Sequence, residues 1–136
     1  MKQYDIGIDL GTTSIIIATE EQGVVFRQPT IGAVDTRTNS IIAVGDAALK
    51  MVGRAPAHMD LVRPLRDGII QDHRMTNELI VRFVNEVCRS RFFKPRIAVC
   101  VPAAITGIEA DAVVESVMAA GAKQVFLVDE PVAAAL

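Results

Sequence analysis

The chain has 136 residues, of which 51% are hydrophobic and 22% are charged, and its formal net charge at pH 7 is −2. This balance excludes an intrinsically disordered protein and is typical of an α/β domain with buried strands. The apolar runs are much shorter than the roughly 20 residues that a helix needs to span a bilayer. A slightly acidic chain has no overall attraction for nucleic acid, so we expect no nucleic-acid partner, and any membrane contact requires a local basic cluster.

Three short strands are predicted at the start of the chain. Residues 4–9 alternate apolar and polar side chains, residues 14–19 form a β-branched run, and residues 24–26 follow a polar turn at 20–23. Three strands joined by two turns predict an antiparallel meander. The first residues contain no apolar segment of the secretory type, so we expect a cytoplasmic protein.

Residues 31–70 contain only short apolar segments, with Gly and Pro residues between them, and are predicted to form a small inserted subdomain. Within them, the sequence indicates a short strand at 40–44 and a small helix at 46–51, followed by a stretch that Gly and Pro residues interrupt repeatedly. Residues 1–30 and 71–136 would then form one larger subdomain.

Helices and strands alternate in the second half of the chain. An apolar stripe predicts a helix over residues 75–89, and continuous apolar runs predict strands at 97–101 and 124–128. A helix between these strands begins with the capping pair Thr106 and Glu109. The order of strand, helix and strand predicts a parallel pair with a right-handed crossover. The fold class is therefore α/β, with a mixed sheet flanked by helices.

The carboxyl-terminal residues suit the first turn of a further helix. Pro131 can occupy that turn, because its missing N–H would have no partner there in any case. The chain stops inside this predicted helix, without a C-cap or a polar end, so we expect the working protein to be longer.

The segment from Asp9 to Ser14 has the composition of a phosphate-binding loop. Gly11 permits close approach of the backbone to a ligand, and the amides and hydroxyls of Thr12 and Thr13 suit phosphate oxygens. Asp9 can hold Mg²⁺ through its water shell. The following residues favour a strand, whereas Walker A and Rossmann loops open a helix, so the phosphate would lie in a β-hairpin. A hairpin turn without a ligand is the alternative, since glycine and threonine are common in turns.

These features together resemble the actin, Hsp70 and sugar-kinase superfamily, and within it the MreB family of bacterial actins. The phosphate loop and residues 128–135 are similar to the superfamily's first phosphate loop and first connecting segment, and residues 53–59, 63–70 and 93–96 are similar to MreB specifically. The resemblance implies an actin-like, ribonuclease H-like fold that binds ATP with Mg²⁺. The superfamily's second phosphate loop and its adenosine pocket are expected beyond the residues of this chain.

The resemblance also implies a role for each site residue. Gly11, Thr12 and Thr13 would contact the nucleotide phosphates, Asp9 would hold hydrated Mg²⁺, and Glu130 would orient the attacking water. Without the resemblance, Glu130 is better explained as an acidic residue in the first turn of a helix.

The function implied is that of an ATPase that polymerises with further copies of itself. Its filaments would direct cell-wall synthesis and rod shape together with the proteins of those processes. The alternatives are another ATPase of the superfamily, either an Hsp70-like chaperone or a sugar kinase, and a scaffold that binds nucleotide without hydrolysing it.

A membrane contact is predicted at Phe92 and Phe93. The two rings lie in the basic segment 89–96, and no acidic residue occurs from position 87 to position 108. An inserted ring and nearby Lys or Arg side chains both favour binding to an anionic leaflet. The MreB family uses an apolar loop at this place, which implies a location at the inner face of the plasma membrane. The alternative is that one ring anchors the loop onto the core.

Overall fold

The structure is a computed structural model that describes residues 5–89 and 94–129. The elements follow one another along the chain as β1 (Ile6–Leu10), β2 (Ser14–Thr19), β3 (Gly23–Pro29), β4 (Gly32–Asp35), β5 (Ser40–Val44), α1 (Asp46–Leu49), β6 (Met59–Val62), β7 (Leu65–Arg66), β8 (Ile69–Ile70), α2 (His73–Cys88), β9 (Arg96–Val101), α3 (Gly107–Ala119) and β10 (Gln124–Asp129). The predicted helix at Pro131 lies outside the described residues.

A five-stranded mixed sheet has the strand order β10-β9-β1-β2-β3. Strands β1, β2 and β3 form an antiparallel meander, and β9 and β10 run parallel to β1. The predicted meander, parallel pair and mixed sheet are therefore confirmed. Because β1, β9 and β10 run in one direction, their carboxyl ends lie at one edge of the sheet, which we call the carboxyl edge. Their amino ends lie at the opposite edge, which we call the amino edge.

One face of this sheet is buried under α2 and α3. Along β1, Ile6, Ile8 and Leu10 are buried, whereas the intervening Gly7 and Asp9 are exposed. The two helices contact each other and pack on the same apolar layer. Neighbouring strands continue this layer with Ile15, Ile17, Ile97, Val99 and Val101. The alternation along β1 therefore turns Asp9 towards the face that α2 and α3 leave uncovered.

Both long helices begin at a capping side chain. Asp72 accepts a hydrogen bond from the Met75 N–H at 2.9 Å, and Thr106 accepts one from the Glu109 N–H at 3.2 Å. Such a cap contributes about 1 kcal/mol. The cap at Thr106 was predicted, whereas Asp72 starts α2 two residues before the predicted position. None of the helices in residues 5–89 and 94–129 is long and apolar enough to cross a membrane.

A second, smaller sheet has the strand order β5-β4-β6. Its own core contains only three buried side chains, Ile31, Ala33 and Ala48. It is also tied to α2, because Arg82 Nη2 donates to the Ile41 carbonyl at 3.1 Å. Strands β4 and β6 were not predicted, because each has only four residues and includes small or charged side chains. Such a short segment shows little alternation of apolar and polar residues. The division of the chain at residues 31–70 stays a prediction.

Candidate nucleotide phosphate site

The loop between β1 and β2, residues 11–13, lies at the carboxyl edge of the five-stranded sheet. Strand pairing places Asp9 beside Cys100 of β9, and Cys100 beside Val128 of β10. The last described residue, Asp129, is one position further along β10. In open α/β sheets, ligands bind outside the carboxyl ends of the parallel strands. The fold thus brings Asp9 and the loop to the edge where a ligand is expected.

Gly11 begins this loop with its backbone close to Ser14. Its N–H donates to the Ser14 carbonyl at 3.2 Å. A Cβ atom at position 11 would lie 2.6 Å from the same carbonyl oxygen, closer than side chains approach in proteins. Glycine is therefore required here by space alone. Strand β2 follows at once, so the loop is the predicted hairpin and not the start of a helix.

Thr30 holds the loop through two hydrogen bonds. It directly follows β3 and is fully buried. Its hydroxyl donates to the Gly11 carbonyl at 2.8 Å, and its backbone N–H donates to the Thr13 carbonyl at 2.9 Å. One buried residue therefore bonds both the first and the last residue of the loop.

The β7–β8 hairpin also contacts the loop. Its two turn residues, Asp67 and Gly68, have φ values of 51° and 73°, and positive φ at both positions is the turn geometry that an Asp-Gly pair favours. The Gly68 N–H donates to the Thr12 hydroxyl oxygen at 3.0 Å. Because the Thr12 hydroxyl accepts this bond, its own proton remains available for an acceptor such as a phosphate oxygen.

The groups at this site fit a nucleotide phosphate with a hydrated cation. Backbone amides and hydroxyls are neutral donors for phosphate oxygens, and the exposed Asp9 carboxylate suits a metal ion that keeps its waters. Within the described part of the chain, no group of three or more His, Cys, Asp or Glu residues could hold a metal ion. The assignment of Mg²⁺ to Asp9 stays a prediction.

The structure brings four of the predicted site residues together at the carboxyl edge: Asp9, Gly11, Thr12 and Thr13. Glu130 follows directly on β10 in the sequence but lies outside the described residues. The predicted membrane residues Phe92 and Phe93 also lie outside them. The roles of all seven residues stay predictions.

Sequence reasoning missed two residues of this site, Thr30 and Gly68. Their hydrogen-bond partners are 19 and 56 residues away along the chain. A threonine after a strand and a glycine in an Asp-Gly turn are common, and neither carries a local signal of a distant contact.

The amino-acid sequence of this chain is similar to those of known proteins. A family model described as MreB/Mbl protein matches residues 3–136. The chain belongs to the MreB/Mbl family. Among its relatives, the cell shape-determining protein Mbl of Bacillus cereus is 42% identical over 133 residues, which are 97% of this chain.

Solved structures confirm the actin-like fold that the resemblance implied. The crystal structure of MreB5 of Spiroplasma citri bound to ADP matches 92% of this chain with a TM-score of 0.77 and 30% identity. A MamK double helical filament matches 93% of the chain with a TM-score of 0.70, but at 18% identity it shows the fold alone. The chain spans 40% of the Mbl relative and 37% of the MreB5 chain.

Proposed function

We propose that this MreB/Mbl protein binds and hydrolyses ATP and assembles into filaments that determine cell shape. The observation that carries the proposal is the hairpin loop at the carboxyl edge, where the Thr12 hydroxyl keeps its proton available and the Asp9 carboxylate at the end of β1 is exposed. Two similar proteins support it. The Bacillus cereus relative is named a cell shape-determining protein, and the Spiroplasma citri structure contains ADP.

Phosphoryl transfer to water requires the protein mainly to position groups and to neutralise charge. In the proposed mechanism, the Thr12 hydroxyl and the loop amides bind phosphate oxygens. Asp9 holds hydrated Mg²⁺, which when bound neutralises charge on the phosphates. Glu130 orients the attacking water. The chain leaves β10 at the carboxyl edge, the edge that also carries the loop, which is consistent with this role of Glu130.

The proposed partners are further copies of the protein and the proteins of cell-wall synthesis and shape. ATP binding would stabilise the filament, and hydrolysis would loosen it. The solved MamK filament is a polymer of a protein with this fold. Coupling of hydrolysis to assembly is therefore the feature to measure.

The test combines phosphate release with pelleting of polymer, using the full-length protein and MgATP over a range of protein concentrations. We expect phosphate release to rise with the amount of polymer. Gly11→Ala should lose ATP binding in calorimetry, because its Cβ would meet the Ser14 carbonyl oxygen. Gly107→Ala is the matched control, since a Cβ there has no atom within 4 Å.

Two outcomes would change the proposal. If polymer forms with ATP but no phosphate is released, the protein is a scaffold that depends on nucleotide and not an ATPase. A parent protein that binds no ATP would contradict the proposal as a whole.

Membrane association through Phe92 and Phe93 is the second part of the proposal. The described residues next to this pair add support, because Lys94 is exposed and the Lys123 N–H donates to the Pro95 carbonyl at 2.7 Å. This bond brings an exposed lysine of the α3–β10 loop beside the segment. An inserted Phe contributes about 1.5–3 kcal/mol and each nearby cation about 1 kcal/mol. A monomer would bind marginally, whereas a filament that presents many such segments gains avidity.

A further inference from the structure

Thr30 combines complete burial with two hydrogen bonds to the phosphate loop. Its side chain makes one of these bonds and its backbone makes the other. Buried hydroxyls need a partner, and many find one within their own helix or turn. The hydroxyl of Thr30 instead reaches the carbonyl of Gly11, the residue that begins the loop.

The two bonds determine which way the loop amides point. All described peptide bonds are trans, and in a trans peptide the C=O and the following N–H point in opposite directions. The Gly11 carbonyl points to Thr30, so the N–H of Thr12 points away from it. The Thr13 carbonyl also points to Thr30, so the N–H of Ser14 likewise points away. Two N–H donors are thereby turned to the side of the loop opposite Thr30.

This orientation matters because Gly11 is free to adopt many conformations. Glycine is required at position 11 by the close approach to Ser14, but glycine restricts its backbone less than any other residue. Without a fixed carbonyl, the peptide between Gly11 and Thr12 could rotate and turn the Thr12 N–H away from a ligand. The Thr30 hydroxyl removes this freedom through a bond whose donor is fully buried.

We propose that Thr30 is a positioning residue for phosphate recognition. It does not touch the nucleotide. Its hydroxyl fixes the peptide between Gly11 and Thr12, so that the Thr12 N–H and the Thr12 hydroxyl face the phosphate together. This inference rests on the proposed function, because it assumes that the loop binds nucleotide phosphates.

The test measures the affinities of the full-length protein for ATP and for adenosine by calorimetry. Thr30→Val keeps the shape of the side chain and removes the donor. We expect it to weaken ATP binding by roughly tenfold, the effect of one lost buried hydrogen bond, and to leave adenosine binding unchanged. Thr30→Ser restores the hydroxyl and should restore ATP affinity.

Thr76 provides a matched control. It is also a fully buried threonine, and its hydroxyl donates to a backbone carbonyl, that of Asp72, at 2.8 Å. Thr76→Val therefore removes the same kind of bond at the start of α2, away from the loop. We expect it to lower the melting temperature without changing the ratio of ATP affinity to adenosine affinity.

The possible outcomes separate this inference from the proposed function. A parent protein that binds no ATP contradicts the proposed function. A parent that binds ATP, with Thr30→Val binding equally well, overturns the role of Thr30. A loss in Thr30→Ser as large as that in Thr30→Val would show that the hydroxyl does not suffice for ATP affinity, would assign the effect to side-chain packing, and would also overturn the role of Thr30. If Thr30→Val does not fold, Thr30→Ala, which removes the donor without adding volume, takes its place with the same expected loss.

Discussion

At the carboxyl edge of the five-stranded sheet, the groups near the loop are backbone amides, hydroxyls and the carboxylates of Asp9, of Asp67 in the β7–β8 turn and of Asp129 at the end of β10. At the amino edge, beside β9 and β10, the unpaired charges among the described residues are those of the exposed Lys94 and Lys123, whereas the charge of Arg96 is balanced by Asp5 at 3.4 Å. Glu20 and Glu21, in the β2–β3 turn, also lie at the amino edge, but β1 separates them from β9 and β10. In the proposed function, the carboxyl edge binds a polyphosphate with its hydrated cation, and the amino edge contacts an anionic surface.

In that proposal one small sheet serves both partners, and the distance between its edges keeps the two contacts apart. Strand β9 has six residues, so the edges are roughly 20 Å apart at about 3.3 Å per residue. Substitutions this far apart, without shared partners, act independently. The comparison predicts that nucleotide chemistry and membrane binding can be removed separately.

The largest effect is expected for Asp9→Ala at the carboxyl edge. Mg²⁺-dependent phosphate release by the full-length protein should fall to background, because the carboxylate that holds the hydrated ion is lost. Asp60→Ala is the control, since Asp60 is an exposed carboxylate on β6, away from the loop. Release by Asp9→Ala at the parental rate would show that the metal is held elsewhere.

A smaller effect is expected for Glu130→Ala, because this residue would orient only the water. Single-turnover hydrolysis should slow by about 10²–10⁴-fold while the affinity for ATP stays within about twofold of the parent. Calorimetry on the same preparation measures that affinity. Hydrolysis at the parental rate would return Glu130 to the role of an acidic residue at the start of a helix.

A smaller effect than that of the catalytic-site variants is expected for the predicted membrane residues: Phe92→Ser/Phe93→Ser should remove most of the binding of polymerised protein to anionic liposomes. The reason is the loss of two inserted rings at about 1.5–3 kcal/mol each. Co-sedimentation measures binding, and polymerisation and phosphate release are checked separately and should be unchanged. Equal sedimentation of variant and parent would place the rings in the core instead.

The smallest effect is expected for Lys94→Gln and Lys123→Gln. Each should weaken liposome binding about fivefold at low salt, since one cation near an anionic leaflet contributes about 1 kcal/mol, and the difference should shrink as salt screens the charges. Lys50→Gln removes an exposed lysine next to α1, beside the smaller sheet, and serves as the control. If Lys123→Gln behaves like Lys50→Gln, the α3–β10 loop does not take part in membrane contact.

The two sheets differ in how far the sequence predicted them. Strand β1 alternates large apolar side chains with Gly7 and Asp9, and β9 is apolar from Ile97 to Val101, so both were found from the pattern. Strand β4 begins with Gly32 and Ala33 and has only four residues. Met75 of α2 covers this strand at Gly32. Met75 is 43 residues further along the chain, and no pattern within β4 indicates that contact.

The phosphate site and the amino edge were likewise predicted only in part. The local sequence predicted Gly11, Thr12 and Thr13 as a phosphate hairpin, because a close backbone approach and small donors are local properties of the loop. It left a plain turn as the alternative, and the family resemblance favoured the phosphate role.

Only the tertiary structure showed that Thr30 bonds the first and last residues of the loop, that the Gly68 N–H donates to the Thr12 hydroxyl, and that Lys123 lies beside the segment of Lys94 at the amino edge. These three contacts arise where separate strands and turns meet. Their physical cause is the packing of the sheets and helices, which brings together residues whose spacing along the chain follows no period.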